Sequence, residues 1–251
     1  MTLVVEGPAG RHFAQFQRDI DALTESAFVF LEAGLRSGNS LLVIAGNERV
    51  EQLFDRLAAG KVHPKSISDS GQLAVVDPTT IIEQFIEAGD AEWARFRGAL
   101  GPVLSRLRPH GRGTRIYSEM ANVLWQGGDA GATIRLEDLW NALANAHTFS
   151  LFCGYTMDTQ SAHAYERPLE ELGRTHSDIL GTTDDERFGI ALDRASKELF
   201  GIALTQMAGI TRQDGARRFP SGQRAMLWVT RNLPMSMGQL VERARTYFKN
   251  D

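Results

Sequence analysis

Short, unbroken apolar runs alternate with helical patterns through the first 180 residues, and this alternation constrains the fold more than any other feature. The two clearest runs are Leu41–Ala45 and Leu73–Val76. Both are rich in branched side chains and too short for a buried helix, as strands covered on both faces are. Weaker runs lie at Arg115–Tyr117 and Ser150–Tyr155. We therefore predict that these four segments are strands.

Amphipathic helical patterns fill the intervals between these runs. The first is Arg18–Gly34, and we expect Gly34 to end that helix because glycine tolerates the left-handed conformation of a C-cap. Further patterns lie at 48–57, 79–88, 91–107, 118–126 and 133–146. Strands that alternate with helices of this length are typical of βαβ units. The prediction is a three-layer α/β fold with a largely parallel sheet.

Ligands of open parallel sheets bind beyond the carboxyl ends of the strands. In this chain that edge comprises Gly46–Arg49, Asp77–Thr80, Ser118–Met120 and Tyr155–Asp158. The aromatic residues near these ends either belong to the core or line an apolar pocket with Arg115 and Glu119 as polar anchors.

Motifs for catalysis and for phosphate binding are missing from the sequence. The turn Gly46-Asn47-Glu48-Arg49 lacks the second glycine, the lysine and the Ser/Thr of a P-loop. Two interpretations of the turn remain: the N-terminus of the following helix binds an anion weakly, or Asn47 and Glu48 only satisfy the dipole of that helix. No Ser/His/Asp order or paired-carboxylate motif stands out. We predict a protein that is not an enzyme and has no cofactor.

The histidines and the single cysteine do not form a metal-binding motif. No histidine pair has the H-E-x-x-H spacing, so a metal site would have to be assembled from distant segments, and none is predicted. Cys153 lies inside a predicted strand and is expected to be a buried core residue. One cysteine cannot form an internal disulfide, and neither a signal peptide nor a long apolar run is visible. A cytoplasmic location without membrane contact is expected.

Charge divides the chain near residue 180. Of its 27 basic and 31 acidic residues, 11 and 8 lie at 181–251, which leaves 16 and 23 at 1–180. We place an α/β domain at 1–180 and a helical extension at 181–251. Within the extension, the apolar stripe of a long helix at Asp184–Ala208 must be covered, which suggests a homodimer. Two short helices are predicted at about Gly222–Thr230 and Met237–Phe248.

Three blocks match a known family in the same order along the chain. They read FLEAGLRSGNSLLVIA, GQLAVVDPTTIIEQF and RIYSEMANVLWQGGDAGATIRLEDLWNALANAHTFSLFCGYTMD. Over about residues 10–180, including a trailing helix at Tyr165–Leu180, the chain resembles the MEDS domain, a sensory module of methanogens, methylotrophs and the DcmR regulator. The resemblance implies a RecA/KaiC-like fold with a degenerate phosphate loop.

The resemblance also implies a role in signalling. We expect a non-catalytic sensory module that binds a small organic ligand or a signalling protein, such as a kinase or regulator, and relays this through its helical tail. The candidate ligand-binding residues are His12, Asn47, Arg115, Tyr117, Glu119, Trp125 and Tyr155.

The alternative is a DNA-binding transcriptional regulator that uses its basic C-terminal segment. The residues expected to contact phosphates, or a protein partner, are Arg212, Arg217, Arg218 and Arg224. A solvated basic face explains the same residues without nucleic acid.

Overall fold

A computed structural model describes residues 2–86, 92–107, 113–166, 168–210 and 218–250. Its strands are β1 (His12–Gln17), β2 (Ser40–Ile44), β3 (Leu73–Val76), β4 (Thr114–Ser118), β5 (Phe149–Thr156) and β6 (Asp178–Leu180). They form one parallel sheet in the order β3-β2-β4-β5-β1-β6. The predicted α/β fold class is confirmed.

Thirteen α-helices occur in the described residues. They are α1 (Thr2–Glu6), α2 (Ile20–Arg36), α3 (Asn47–Ala59), α4 (Pro64–Asp69), α5 (Pro78–Ile86), α6 (Glu92–Arg106), α7 (Met120–Gln126), α8 (Ala130–Ala144), α9 (Leu169–Thr175), α10 (Thr183–Phe200), α11 (Leu204–Ile210), α12 (Ser221–Asn232) and α13 (Met237–Asn250). Among these described helices, none has the length and apolar character that a membrane crossing needs.

The sheet is covered by helices on both faces. On one face, Phe30 of α2 meets Phe13 and Phe152 edge-on, at centroid distances of 5.5 and 5.7 Å. On the other face, the ring centroid of Trp140 of α8 lies 6.0 Å from that of Phe149. Successive strand residues point to opposite faces, so Phe152 and Cys153 of β5 belong to different layers.

The chain divides into two compact units. An N-terminal unit comprises residues 1–13 and 19–155, and a C-terminal unit comprises residues 14–18 and 156–251. The domain boundary that we placed at residue 180 stays a prediction.

Gly34 does not end α2, contrary to the prediction, because the helix continues to Arg36. The left-handed glycine after the helix is Gly38, with φ +74°. A Cβ on Gly34 would lie 2.7 Å from Cδ of Arg115. Gly34 is therefore needed to admit the Arg115 side chain, not to end the helix.

The sequence analysis did not predict two of the strands, β1 and β6. Five of the six residues of β1 are buried, although the strand contains polar His12 and Gln15, so it carries no continuous apolar run. The second, β6, lies within the predicted trailing helix Tyr165–Leu180, of which the structure keeps only α9 as α-helix. That part of the helix prediction is wrong.

In the C-terminal unit, the predicted long helix Asp184–Ala208 is two helices. Its first part, α10, ends at Gly201, which adopts the left-handed conformation with φ +76°. The apolar stripe of α10 is covered within the same unit, because the ring of Phe188 lies 5.9 Å from that of Phe248 on α13. Covering the apolar stripe therefore does not require a second copy of the chain. Dimerisation stays a prediction.

Candidate functional site

A pocket of about 260 Å³ lies at the carboxyl edge of the sheet in the N-terminal unit. β2 and β4 are neighbours whose last residues, Ile44 and Ser118, are in register. The turns after them meet, since the amide of Glu119 donates to the carbonyl oxygen of Ile44 at 2.8 Å. The pocket is lined by Ile20, Gly46, Asn47, Glu48, Arg49, Gln52 and Glu119.

A buried ion pair forms one wall of this pocket. Nε of Arg49 donates to Oε1 of Glu119 at 2.6 Å, and each residue is only 9% exposed. The hydroxyl of Tyr117 donates to the same oxygen at 2.7 Å. The other arm of the guanidinium donates to the hydroxyl of Thr24 and, at 3.1 Å, to Oε1 of Gln52. Arg49 thus joins α2, α3 and the end of β4.

Two groups donate to Glu119, the Arg49 guanidinium and the Tyr117 hydroxyl, and electrostatic interactions keep both of them protonated. Burial lowers the pKa of Arg49, but the Glu119 carboxylate outweighs burial and leaves that pKa above its ordinary value. Burial and the same carboxylate raise the pKa of Tyr117 well above its ordinary value. At neutral pH the Arg49 guanidinium is therefore charged and the Tyr117 phenol is neutral.

Local sequence explains how these groups reach the pocket. Gly154 of β5 lies beside Tyr117, and a Cβ there would be 2.7 Å from the Tyr117 hydroxyl oxygen. Gly46 is the N-cap of α3 and offers no side-chain hydrogen bond to the first turn of that helix. Glycine at these two positions allows the phenol to lie over β5 and leaves the start of α3 without a capping side chain.

A second buried carboxylate, Glu137 of α8, lies on the opposite face of the sheet and is fully shielded from solvent. The hydroxyl of Tyr155 donates to its Oε1. Its Oε2 lies 3.1 Å from Nε2 of His12 and 3.5 Å from Sγ of Cys153. Burial, together with the Glu137 carboxylate, raises the pKa values of Cys153 and Tyr155 well above their ordinary values.

Comparison with known families assigns the region that holds both clusters. The profile of the MEDS domain, described as the methanogen/methylotroph, DcmR sensory domain, matches residues 11–177, more than half of the chain. The chain belongs to the MEDS family. A comparison with curated proteins finds no relative that matches it. Because the family is sensory, this chain carries a sensory domain, and both carboxylate clusters lie inside it.

The MEDS fold brings three of the predicted ligand-binding residues to one place. Asn47 and Glu119 line the pocket, and Tyr117 reaches it through its hydrogen bond to Glu119. His12 and Tyr155 belong instead to the Glu137 cluster on the opposite face. Trp125 is buried within α7. Ligand binding by any of them stays a prediction.

Arg115 is placed away from the pocket, contrary to the expectation that it anchors a ligand with Glu119. It lies at the start of β4, and its guanidinium donates to the carbonyl oxygens of Val5, Glu6 and Phe30 at 2.8–2.9 Å. Arg115 is therefore a structural residue that caps α1. Burial lowers the pKa of its guanidinium.

The predicted phosphate contacts of the tail are partly accounted for by the fold. Arg212 and Arg217 lie outside the described residues. Arg218 donates to the carbonyl oxygens of Gly173 and Arg174, at 3.3 and 2.6 Å, within the C-terminal unit. Arg224 is half-buried on α12. DNA binding stays a prediction.

Sequence reasoning missed the two residues at the centres of these clusters. Arg49 was treated only as part of a turn that lacks a P-loop lysine. Glu137 falls on the buried stripe of α8, between Thr133 and Trp140. An acidic residue at a stripe position is the signal that would have singled it out, because a buried carboxylate needs specific partners.

Proposed function

We propose that the MEDS domain of this chain binds a small polar organic molecule in the pocket beside Arg49 and Glu119. Binding is relayed through the helical C-terminal unit to a signalling protein, and no reaction is catalysed. The observation that carries the proposal is the buried Arg49–Glu119 pair, which forms a wall of a pocket at the ligand-binding edge of a parallel sheet.

The charges of the pocket indicate the ligand class. Its lining holds two carboxylates, Glu48 and Glu119, against one guanidinium, and two side-chain amides, Asn47 and Gln52. Alcohol or amide groups both donate and accept hydrogen bonds, so they can satisfy such a lining, whereas a phosphate would be repelled. At about 260 Å³ the pocket is smaller than the 300–1,000 Å³ of typical drug-sized ligands. The expected ligand is therefore small and not anionic.

The turn at Gly46–Arg49 supports a further part of the proposal, that this is a RecA/KaiC-like domain with a degenerate phosphate loop. The turn follows a strand and begins a helix, as a phosphate loop does, but it lacks the lysine and the hydroxyl residue. We expect nucleotides to bind at millimolar strength or not at all.

A ligand at this position can alter the fold because Arg49 joins three elements. A hydroxyl that competes for Glu119 or for Arg49 changes the contacts of α2 and α3 together. A ligand shifts a conformational equilibrium only through such differential contacts with the two states. The ion pair is thus the proposed element that converts occupancy into movement.

Thermal-shift and calorimetric titration of the full chain with short alcohols, diols and amides tests the proposal, with nucleotides as the comparison series. At least one small neutral compound is expected to raise the unfolding midpoint. Arg49→Lys keeps the charge but loses the forked donors, so it should weaken that binding about tenfold.

The matched control is Arg36→Lys, because Arg36 forms an exposed pair with Glu32 at 2.6 Å. This substitution should leave the affinity unchanged. If no compound raises the midpoint, or if both substitutions weaken binding equally, the proposed pocket is wrong.

A further inference from the structure

Three potential metal-binding atoms converge on one point in the buried layer between the sheet and α8. Nε2 of His12 lies 3.1 Å from Oε2 of Glu137 and 3.4 Å from Sγ of Cys153. The third side of this triangle, from Sγ to Oε2, is 3.5 Å. The three residues are at most 6% exposed. They come from β1, α8 and β5, which are regular elements that hold side chains more firmly than loops do.

The triangle has the size of one face of a tetrahedral zinc site. Zinc bonds of about 2.0–2.3 Å at tetrahedral angles place nitrogen, oxygen and sulfur ligands roughly 3.4–3.6 Å apart. Each of the three separations lies within about 0.3 Å of those lengths. From this geometry we infer that His12, Glu137 and Cys153 bind a divalent transition metal ion of the zinc class.

Neighbouring residues orient two of the three ligand atoms, those of His12 and Glu137. Nδ1 of His12 donates to Oδ1 of Asn141 at 2.9 Å, which fixes the neutral tautomer whose lone pair is on Nε2. Tyr155 donates to Oε1 of Glu137 and so directs Oε2 towards His12 and Cys153. In metal sites, hydrogen bonds from neighbouring residues orient the side chains that bind the metal.

Charge balance also favours a divalent ion here. A bound metal ion displaces the thiol proton of Cys153 to solvent, and the resulting thiolate and the carboxylate of Glu137 together neutralise two positive charges, while the imidazole adds none. Burial of an unbalanced charge is costly, whereas a neutral assembly removes most of that cost. The donor set of imidazole, carboxylate and thiolate suits zinc, cobalt(II) or iron(II) better than calcium or magnesium, which prefer oxygen ligands alone. Tetrahedral coordination requires a fourth ligand, and this ligand is a group other than these three.

This inference concerns a different site from the proposed ligand pocket, so either can fail without the other. The sequence suggested no metal site because the three residues are separated by 124 and 15 intervening positions. Only the fold brings them together. The spacing rules that find zinc motifs therefore have nothing to detect.

Cobalt(II) titration of the metal-free, reduced full chain tests the inference. Cys153 is the one cysteine of the chain, so a thiolate-to-cobalt charge-transfer band can arise only from that residue. We expect the band to saturate at one equivalent and to disappear when zinc displaces cobalt. A chain that is folded by circular dichroism and shows no such band would overturn the inference.

Substitutions then assign the other ligands. Glu137→Gln keeps the size of the side chain and the acceptor for Tyr155, and it should weaken cobalt binding at least tenfold. Asn141→Ala should weaken it about 10–100-fold through the orientation of His12. The control is His163→Gln, because His163 is exposed and pairs with Glu166. Cobalt binding that Glu137→Gln and Asn141→Ala leave unchanged, or that His163→Gln weakens equally, would also overturn the inference.

Discussion

Glu119 and Glu137 are both carboxylates that the MEDS domain buries, on opposite faces of one sheet, and their partners differ in kind. Glu119 meets a guanidinium at 2.6 Å, which carries a permanent charge. Glu137 meets a phenol, a thiol and an imidazole, none of which carries a permanent charge. The first arrangement is complete with its own ion pair and faces a pocket. The second is arranged so that a cation would complete it.

The largest expected effect comes from breaking the ion pair at Glu119. Arg49→Met leaves a buried carboxylate without its cation and should lower the free energy of unfolding by about 3–5 kcal/mol. The double variant Arg49→Met/Glu119→Met removes both charges and should recover most of that loss. Urea unfolding of the three proteins measures this. A double variant as unstable as the single one would show that the charges do not act as a pair.

Removing one phenol from each cluster compares the two carboxylates directly. Tyr155→Phe takes a donor from Glu137 and should cost about 2 kcal/mol of unfolding free energy in the metal-free chain. Tyr117→Phe should cost only about 1 kcal/mol, because Arg49 still pairs with Glu119. Urea unfolding at pH 7 separates these values. Equal losses would mean that the guanidinium does not protect Glu119.

Alkaline pH should weaken the fold through the same Tyr117 hydroxyl. Burial and Glu119 raise its pKa well above the ordinary value near 10, so it stays neutral in the folded chain after the unfolded chain has lost the proton. Stability from this group is complete below about pH 10 and falls above it, by at most about 1.4 kcal/mol per pH unit. Unfolding measured at pH 8–11 should show this slope only above about pH 10, and Tyr117→Phe should reduce it. A slope that Tyr117→Phe leaves unchanged belongs to other groups.

The smallest effect is expected from adding a methyl group beside Tyr117, which changes the Glu119 cluster and leaves the Glu137 cluster alone. Gly154→Ala places a Cβ against the Tyr117 hydroxyl and should cost about 1 kcal/mol while displacing that phenol. Gly101→Ala is the control, because within the described part of the chain, and apart from chain neighbours and the backbone of α6 itself, no atom lies within 4 Å of a Cβ at this position, and alanine there should be neutral or stabilising. Near-ultraviolet circular dichroism and urea unfolding give both readouts. If Gly154→Ala changes neither signal, the close approach of Tyr117 is not a constraint.

The parts of this molecule that repeat a simple period could be predicted from the sequence. The predicted bounds of β2 and β3 agree with the structure to within one residue, because the apolar runs of these strands are unbroken. The rule that ligands bind at the carboxyl edge of a parallel sheet was enough to select the turns at Gly46 and Ser118. β1 was missed because its buried His12 and Gln15 interrupt any apolar run. Burial of polar residues depends on partners that are distant in sequence, which periodicity does not report.

Side-chain direction limited the prediction of the site more than residue type did. Arg115 and Glu119 are four residues apart, and both are buried polar residues, but one lies near each end of β4. A long side chain at the start of a strand runs to whichever acceptors the tertiary fold supplies. Gly34 shows the same limit, since its role depends on an arginine 81 positions later.

Arg115 also sets a condition on how this domain can be joined to other proteins. A guanidinium at this depth cannot lose its charge under physiological conditions, so it must always have acceptors. The carbonyl oxygens of Val4, Val5 and Glu6 supply three of them. A fusion that replaces the first turn of the chain must therefore provide a helical end with carbonyls in the same place. One arginine on β4 thus restricts which segments can replace α1 in such a fusion.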